Sequence, residues 1–185
     1  IYHKNMKISK INGIYIENNH QIKSTYLENE IYLKAMESMI VVCSDIMIIN
    51  RKEKAVYLVK RRVKPMQGWW QIGGRRFAGE TARETAVKNF LRETSLKINP
   101  SRFKFITTIE NIWQSKKEKP IKTGKHDLIF VFTVDLNKKE IKMVSKNLDP
   151  KEYCQNSLEK FSRKRLLKEK IHPALIEIYD KIFKN

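Results

Sequence analysis

The stretch Gly68-Trp69-Trp70-Gln71-Ile72-Gly73-Gly74-Arg75-Arg76-Phe77-Ala78-Gly79-Glu80-Thr81, continued by an apolar-periodic run to Leu96, decides how this chain is read. A glycine pair after an aromatic-rich strand lets the backbone come close to a ligand, and Gly79 permits a sharp turn into a helix. Thr81 opens that helix. Glu84, three residues on, completes a Thr-x-x-Glu pattern in which side chains satisfy free amides of the first turn. Ala82, Ala86, Val87, Phe90, Leu91 and Thr94 recur at three- and four-residue spacing, so this flank is expected to pack on a sheet. Lys88, Asn89, Arg92 and Glu93 then fall on the other, polar flank, in neighbouring rows beside the glycine loop.

Working outward, Met39 to Ile49 and Ala55 to Arg61 read as a hairpin with its turn at Asn50 to Lys54. A helix is expected near Tyr26 to Glu37, after an irregular or hairpin start. The helix opened by Thr81 stops near Asn99-Pro100. Strands follow at Phe103 to Ile112 and Leu128 to Leu136. Between them, polar and lysine-rich Gln114 to Lys125 reads as a mobile loop able to cover a ligand. Glu140 to Val144 and Ser157 to Phe161 read as further strands, and Arg163 to Lys168 and Pro173 to Phe183 as helices. Strands alternating with two or three helices fit an α/β class, a helix-sheet-helix sandwich.

The whole chain has 185 residues, 41% of them hydrophobic and 10% aromatic, enough to bury one good core but hardly two. No apolar run is long enough to span a bilayer, and residues 1–29 lack a charged-then-apolar secretory pattern. Cys43 and Cys154 give no disulfide framework, so a reducing, cytoplasmic setting is expected. The formal net charge is +18, with 38 basic residues, which favours phosphorylated ligands or nucleic acid. Those residues are spread along the chain, and the densest basic runs, Lys116 to Lys125 and Arg163 to Lys170, lack interleaved aromatics for stacking on bases. A solvated surface is therefore the plainer reading of the charge, with RNA binding as the rival.

The glycine loop and helix resemble the Nudix box, G-x5-E-x7-R-E-u-x-E-E-x-G-u, where u is aliphatic. Gly74 and Glu80 fit its first two positions and Glu93 its last acid; Lys88 stands for Arg, Asn89 and Arg92 replace two acids, and Ser95 replaces the final Gly. Within that family, the GDP-mannose mannosyl hydrolases also lack both of those acids. The order Lys60-Arg61, Pro65, Gln67-Gly68, Trp70, Gly73-Gly74-Arg75, Glu80-Thr81 is similar to theirs, so the resemblance spans roughly Met39 to Leu166.

The resemblance implies a Nudix-type α/β/α sandwich with a mixed β-sheet over residues 38–185, with residues 1–37 as an extension packed on it. It implies a hydrolase of a nucleoside diphosphate linked to another group, most plausibly a sugar, using Mg2+ or Mn2+. Gly73, through its carbonyl, and Glu93 would hold the metal. Arg61, Arg75 and Lys88 would neutralise the diphosphate. Trp69 and Trp70 serve either as core and rim packing or as a stacking platform for base or sugar. Cys154 falls where the subfamily has a metal-binding Gln, and Gln155 where it has the general-base His; a one-residue shift makes Gln155 a ligand. A glutamine takes no proton at neutral pH, which leaves His126 as the candidate base, although a lone His is more often structural. The rival is an inactive module that keeps the pocket and binds a nucleotide, RNA or a protein. Family members often dimerise, so a homodimer is a further expectation.

Overall fold

The computed structural model describes residues 7–11 and 14–184. Strands β1 (Ile8–Ile11) and β2 (Ile14–Glu17) form a separate two-stranded ribbon, and helix α1 (Asn29–Ser38) follows. Next come β3 (Val41–Asn50), β4 (Ala55–Arg61), β5 (Gly68–Trp70), β6 (Ile72–Arg75) and helix α2 (Ala82–Thr94). Then β7 (Lys104–Trp113), β8 (Lys125–Asp135), α3 (Lys138–Lys146), β9 (Glu159–Phe161), α4 (Arg163–Lys168) and α5 (Pro173–Phe183) complete the order.

β3 is the spine of the sheet because its near-continuous apolar run suits a strand buried on both faces. β8 lies parallel to it, from Val41 opposite Asp127 to Ile49 opposite Asp135, and β7 forms the antiparallel neighbour of β8. On the other side, β4 pairs with the end of β3 from Ile48 to Asn50. β6 takes over beside the start of β3, with Ile46 opposite Ile72 and Cys43 opposite Arg75. β5 and β9 both attach to β4. The result is a mixed sheet with helices on both faces, as the alternating pattern of strands and helices indicates.

Residue parity along β3 divides the core in two. Cys43, Met47 and Ile49 face Met36 of α1, Leu166 of α4 and Leu175 and Ile178 of α5. Ile46 and Ile48 face Ala86 and Phe90 of α2 and Val144 of α3. Asp45 shares the first of these faces.

Two sequence expectations need correction. Glu140 to Val144 is helical, not a strand: Asn137 and Glu140 form a reciprocal capping box, and Ile141, Val144 and Leu148 recur with helical spacing against the second core. The buried flank of α2 is also rotated from the expected one. It runs through Thr85, Ala86, Asn89, Phe90, Glu93 and Thr94, while Leu91 is exposed. Asn89 and Glu93 therefore point inward, where buried polar groups need partners.

Candidate functional site

The expected cap of α2 is formed in both directions. Thr81 N donates to Glu84 Oε2 at 2.8 Å, and Glu84 N donates to Thr81 Oγ1 at 3.1 Å. This fixes the helix start beside the glycine turn, where Gly79 adopts a positive φ of 85°.

Asn89 and Arg92 then meet that turn. Asn89 Nδ2 donates to the carbonyl of Gly74 at 2.8 Å and to that of Ser44 at 3.2 Å, joining α2 to both β6 and β3. Arg92 donates to Glu93 Oε1 through Nε at 3.0 Å and Nη2 at 2.6 Å. The carboxylate is 3% exposed and the guanidinium side chain 52%, so the cation covers a buried acid. Burial pushes the Glu93 carboxyl above its ordinary range, against the opposing pull of Arg92. Glu93 Oε2 is buried without a partner. A Cβ at Gly74 would lie 2.9 Å from Arg92 Nη2, so the guanidinium lies close over the turn and a larger residue there would displace it.

These residues do not fit a magnesium site. Hard divalent ions take six or more oxygen ligands, chiefly carboxylates, carbonyls and water. Here one oxygen of the surviving acid accepts a guanidinium, Asn89, which stands in place of an acid, is spent on backbone carbonyls, and Glu80 is taken by Lys88 at 2.6 Å and Thr85 at 2.7 Å. Among the described residues no group of three or more His, Cys, Asp or Glu side chains is placed to hold a metal ion.

On the opposite face of β3 lies a cavity of about 220 Å³, walled by Trp70, Trp113, Arg61, Arg75, Asp45 and Asp127. Trp70 and Trp113 meet edge to face with centroids 5.5 Å apart. Asp127 Oδ2 accepts Trp113 Nε1 at 2.8 Å and Lys125 Nζ at 2.9 Å, while Oδ1 is buried without a partner. Asp45 is 5% exposed and accepts Gln71 Nε2 at 3.2 Å. Burial raises its carboxyl to about 7, with Gln71 and Arg61 opposing the rise. Arg61 bonds Glu152 at 3.3 Å, and Glu152 also accepts Lys117 at 2.9 Å from the 114–124 loop, so that loop is tied across the mouth. It is also held by Lys116, fully buried and bonded to Glu37 of α1 at 2.9 Å, and by Thr123 Oγ1, which donates to the same carboxylate at 3.1 Å.

The expected site residues are therefore only partly gathered. Arg61, Arg75 and Trp70 share the cavity wall, and Arg75 stacks over Tyr32 at 4.3 Å. Lys88 lines a separate groove with Asn89 and Arg92. Gly73 lies in β6 opposite Asp45, whose Oδ1 would be 2.0 Å from a Cβ placed there. Trp69 packs on Phe161 at 5.1 Å, and Gln155 Nε2 reaches the Leu148 carbonyl at 3.4 Å. His126 faces Glu110 at 3.2 Å and lines a third groove with the end of α1. Asp45, Asp127, Trp113 and Glu152 were not singled out as site residues in the sequence. Asp45 carried a signal, an acid inside an apolar run; Glu152 carried none.

Comparison with known proteins accords with this architecture. The family model described as the NUDIX domain matches residues 40–181. Among solved structures, the chain is similar to a MutT NUDIX hydrolase from Burkholderia pseudomallei, at 17% identity and a TM-score of 0.54 over 69% of this chain and 87% of that one. It is also similar to a C. elegans Ap4A hydrolase in a binary complex, at 10% identity and a TM-score of 0.52 over 77% and 95% of the two chains. A NUDIX hydrolase from Nitrosomonas europaea gives 13% identity and a TM-score of 0.51 over 77% and 88%. Among curated proteins no sequence matches. No helix of the described residues is long and apolar enough to cross a membrane. With the family match covering most of the sequence and the glycine turn, capped helix and mixed sheet in place, this chain belongs to the Nudix hydrolase family.

Proposed function

We propose that this chain is a nucleotide-binding Nudix domain that holds a nucleoside diphosphate, free or joined to a sugar, without a divalent ion and without cleaving it. The observation that carries this reading is the Arg92 fork on Glu93, which puts a cation where the family's metal chemistry needs a free acid. Asn89 reinforces it, because a neutral amide stands in place of an acid and is spent on the Gly74 and Ser44 carbonyls.

The rest of the site suits binding. Trp70 and Trp113 give the cavity aromatic surface for a base or sugar ring, and Asp127 Oδ1 is an unused acceptor that would gain from a ligand N–H or O–H. Arg61 and Arg75 stand on the same wall, where they would meet the diphosphate. Steering by a net charge of +18 would raise the encounter rate of any phosphorylated ligand.

Calorimetry with a panel of nucleoside diphosphates and nucleotide sugars, each with excess EDTA or Mg2+, tests this reading when followed by chromatography of the recovered ligand. The expected result is binding unaffected by chelation, with the ligand intact. Product that appears with Mg2+ and stops with EDTA would instead support magnesium-dependent hydrolysis of a nucleotide sugar. Salt-dependent RNA binding tighter than that of any mononucleotide would favour an RNA partner.

A further inference from the structure

We propose that the Arg92 guanidinium is a built-in substitute for a metal ion: one edge neutralises Glu93, and the other receives a phosphate of the ligand. This rests on the reading of the chain as a nucleotide-binding domain and names the group that takes the diphosphate.

The geometry divides the guanidinium in two. Nε and Nη2 are both spent on Glu93 Oε1, at 3.0 and 2.6 Å. Among the described residues Nη1 makes no hydrogen bond, and the side chain is half exposed, so one donor edge remains toward solvent. Arg92 lines a groove of about 310 Å³ together with Asn89, Lys88, Glu80, Ser24 and Tyr26 among others. Glu80 does not make the groove acidic, because Lys88 Nζ lies 2.6 Å from it. Residues 88, 89 and 92 fall three and four apart on α2, so their side chains rise from one patch of its surface.

The groove adjoins the aromatic cavity across one residue. Gly74 lines that cavity, and a Cβ there would lie 2.9 Å from Arg92 Nη2 and 3.5 Å from the Asn89 amide. Gly74 thus stands between the cavity and Arg92, and a ligand held in the cavity against the tryptophans would reach the guanidinium past this residue.

A guanidinium suits this task. It stays charged at any accessible pH, its planar donors match phosphate oxygens, and it sheds water more readily than an ammonium. It also removes a structural need for metal. Here Arg92 holds the acid, and Asn89 ties the glycine turn to α2 through the Gly74 carbonyl. The two replacements act as a pair, one supplying the charge and the other the tether.

Calorimetry with inorganic pyrophosphate and with ADP, CDP, GDP and UDP, all in EDTA, tests the proposal on wild type, Arg92→Gln, the double variant Arg92→Gln/Glu93→Gln, and Asn89→Glu/Arg92→Glu. Circular dichroism establishes that each variant is folded. Arg92→Gln alone uncovers a buried acid that repels phosphate and strains the fold, so the Arg92→Gln/Glu93→Gln pair, which removes both charges, isolates the cation. Wild type is expected to bind pyrophosphate and at least one nucleotide without metal, and the Gln/Gln variant to bind both at least tenfold more weakly. Asn89→Glu/Arg92→Glu is expected to bind pyrophosphate only when Mg2+ is added. The proposal is overturned if the folded Gln/Gln variant binds within twofold of wild type, in which case the nucleotide-binding reading survives and the Arg92 assignment falls. Absence of any nucleotide binding by wild type would overturn both.

Discussion

Phe90→Ala is expected to lower the free energy of unfolding by about 4 kcal/mol, the range for deleting a fully buried aromatic side chain. Phe90 has no exposed surface and meets Phe103 edge to face with ring centroids 5.7 Å apart. It sits in the core of Ile46, Ile48, Ile72 and Val134, on the row of α2 next to Asn89 and Glu93. The loss has two parts: the removed ring surface, and a cavity that the strands around it close only in part. Urea denaturation followed by tryptophan fluorescence measures it. A loss below about 1.5 kcal/mol would show that α2 is not seated on the sheet through this residue. Because α2 carries Asn89 and Arg92, the same variant is expected to loosen the tether to the glycine turn.

The second large effect depends on pH. Asp45 is buried in the cavity wall, and burial raises its carboxyl from the usual 3.8 to about 7. An acid whose folded pKa is raised gives stability that is fully present below the unfolded value and is lost as pH rises through the folded one. Between about pH 4 and pH 7 the folded chain thus holds a proton that the unfolded chain releases, and stability falls by about 1.4 kcal/mol per pH unit. Asn resembles the protonated carboxyl and does not ionise. Asp45→Asn is therefore expected to match wild type near pH 4 and to exceed it by about 3–4 kcal/mol at pH 8. Denaturation midpoints across that range test it. Parallel curves for the two proteins would mean that Asp45 is ionised in the folded chain at neutral pH, with Gln71 and Arg61 outweighing burial.

Local rules made much of the frame legible in the sequence. Thr81 and Glu84 announced the start of α2, and both of their reciprocal hydrogen bonds form. The apolar run of β3, the hairpin to β4 and the spacing of Leu175, Ile178 and Ile182 were equally direct, because burial on a strand or helix imposes a period. Two features escaped for related reasons. Glu140 to Val144 is too short for its period to separate strand from helix, and the cap of Asn137 on Glu140 decides the matter. The orientation of α2 escaped because hydrophobicity alone places Leu91 inside and Asn89 outside. The amide of Asn89 is instead buried by two backbone carbonyls that only the folded sheet brings together.

The site was legible in the same graded way. The substitution of Asn89 and Arg92 for acids was plain in the sequence, but where the guanidinium goes was not. Rotamer and burial set its place on Glu93, and neither follows from spacing. Asp127 and Trp113, on neighbouring strands, are joined by a hydrogen bond between positions fourteen residues apart, a pairing that the β7–β8 register creates.

The most direct test asks what neutralises the Glu93 carboxylate. Mn2+ is titrated into the wild-type chain without nucleotide, and electron paramagnetic resonance reads the free ion. With Arg92 in place, the free-ion signal is expected to follow the added Mn2+ with no stoichiometric step. Loss of one ion per chain, reversed in Glu93→Gln, would contradict the account, because it would show that the acid leaves the arginine for a metal.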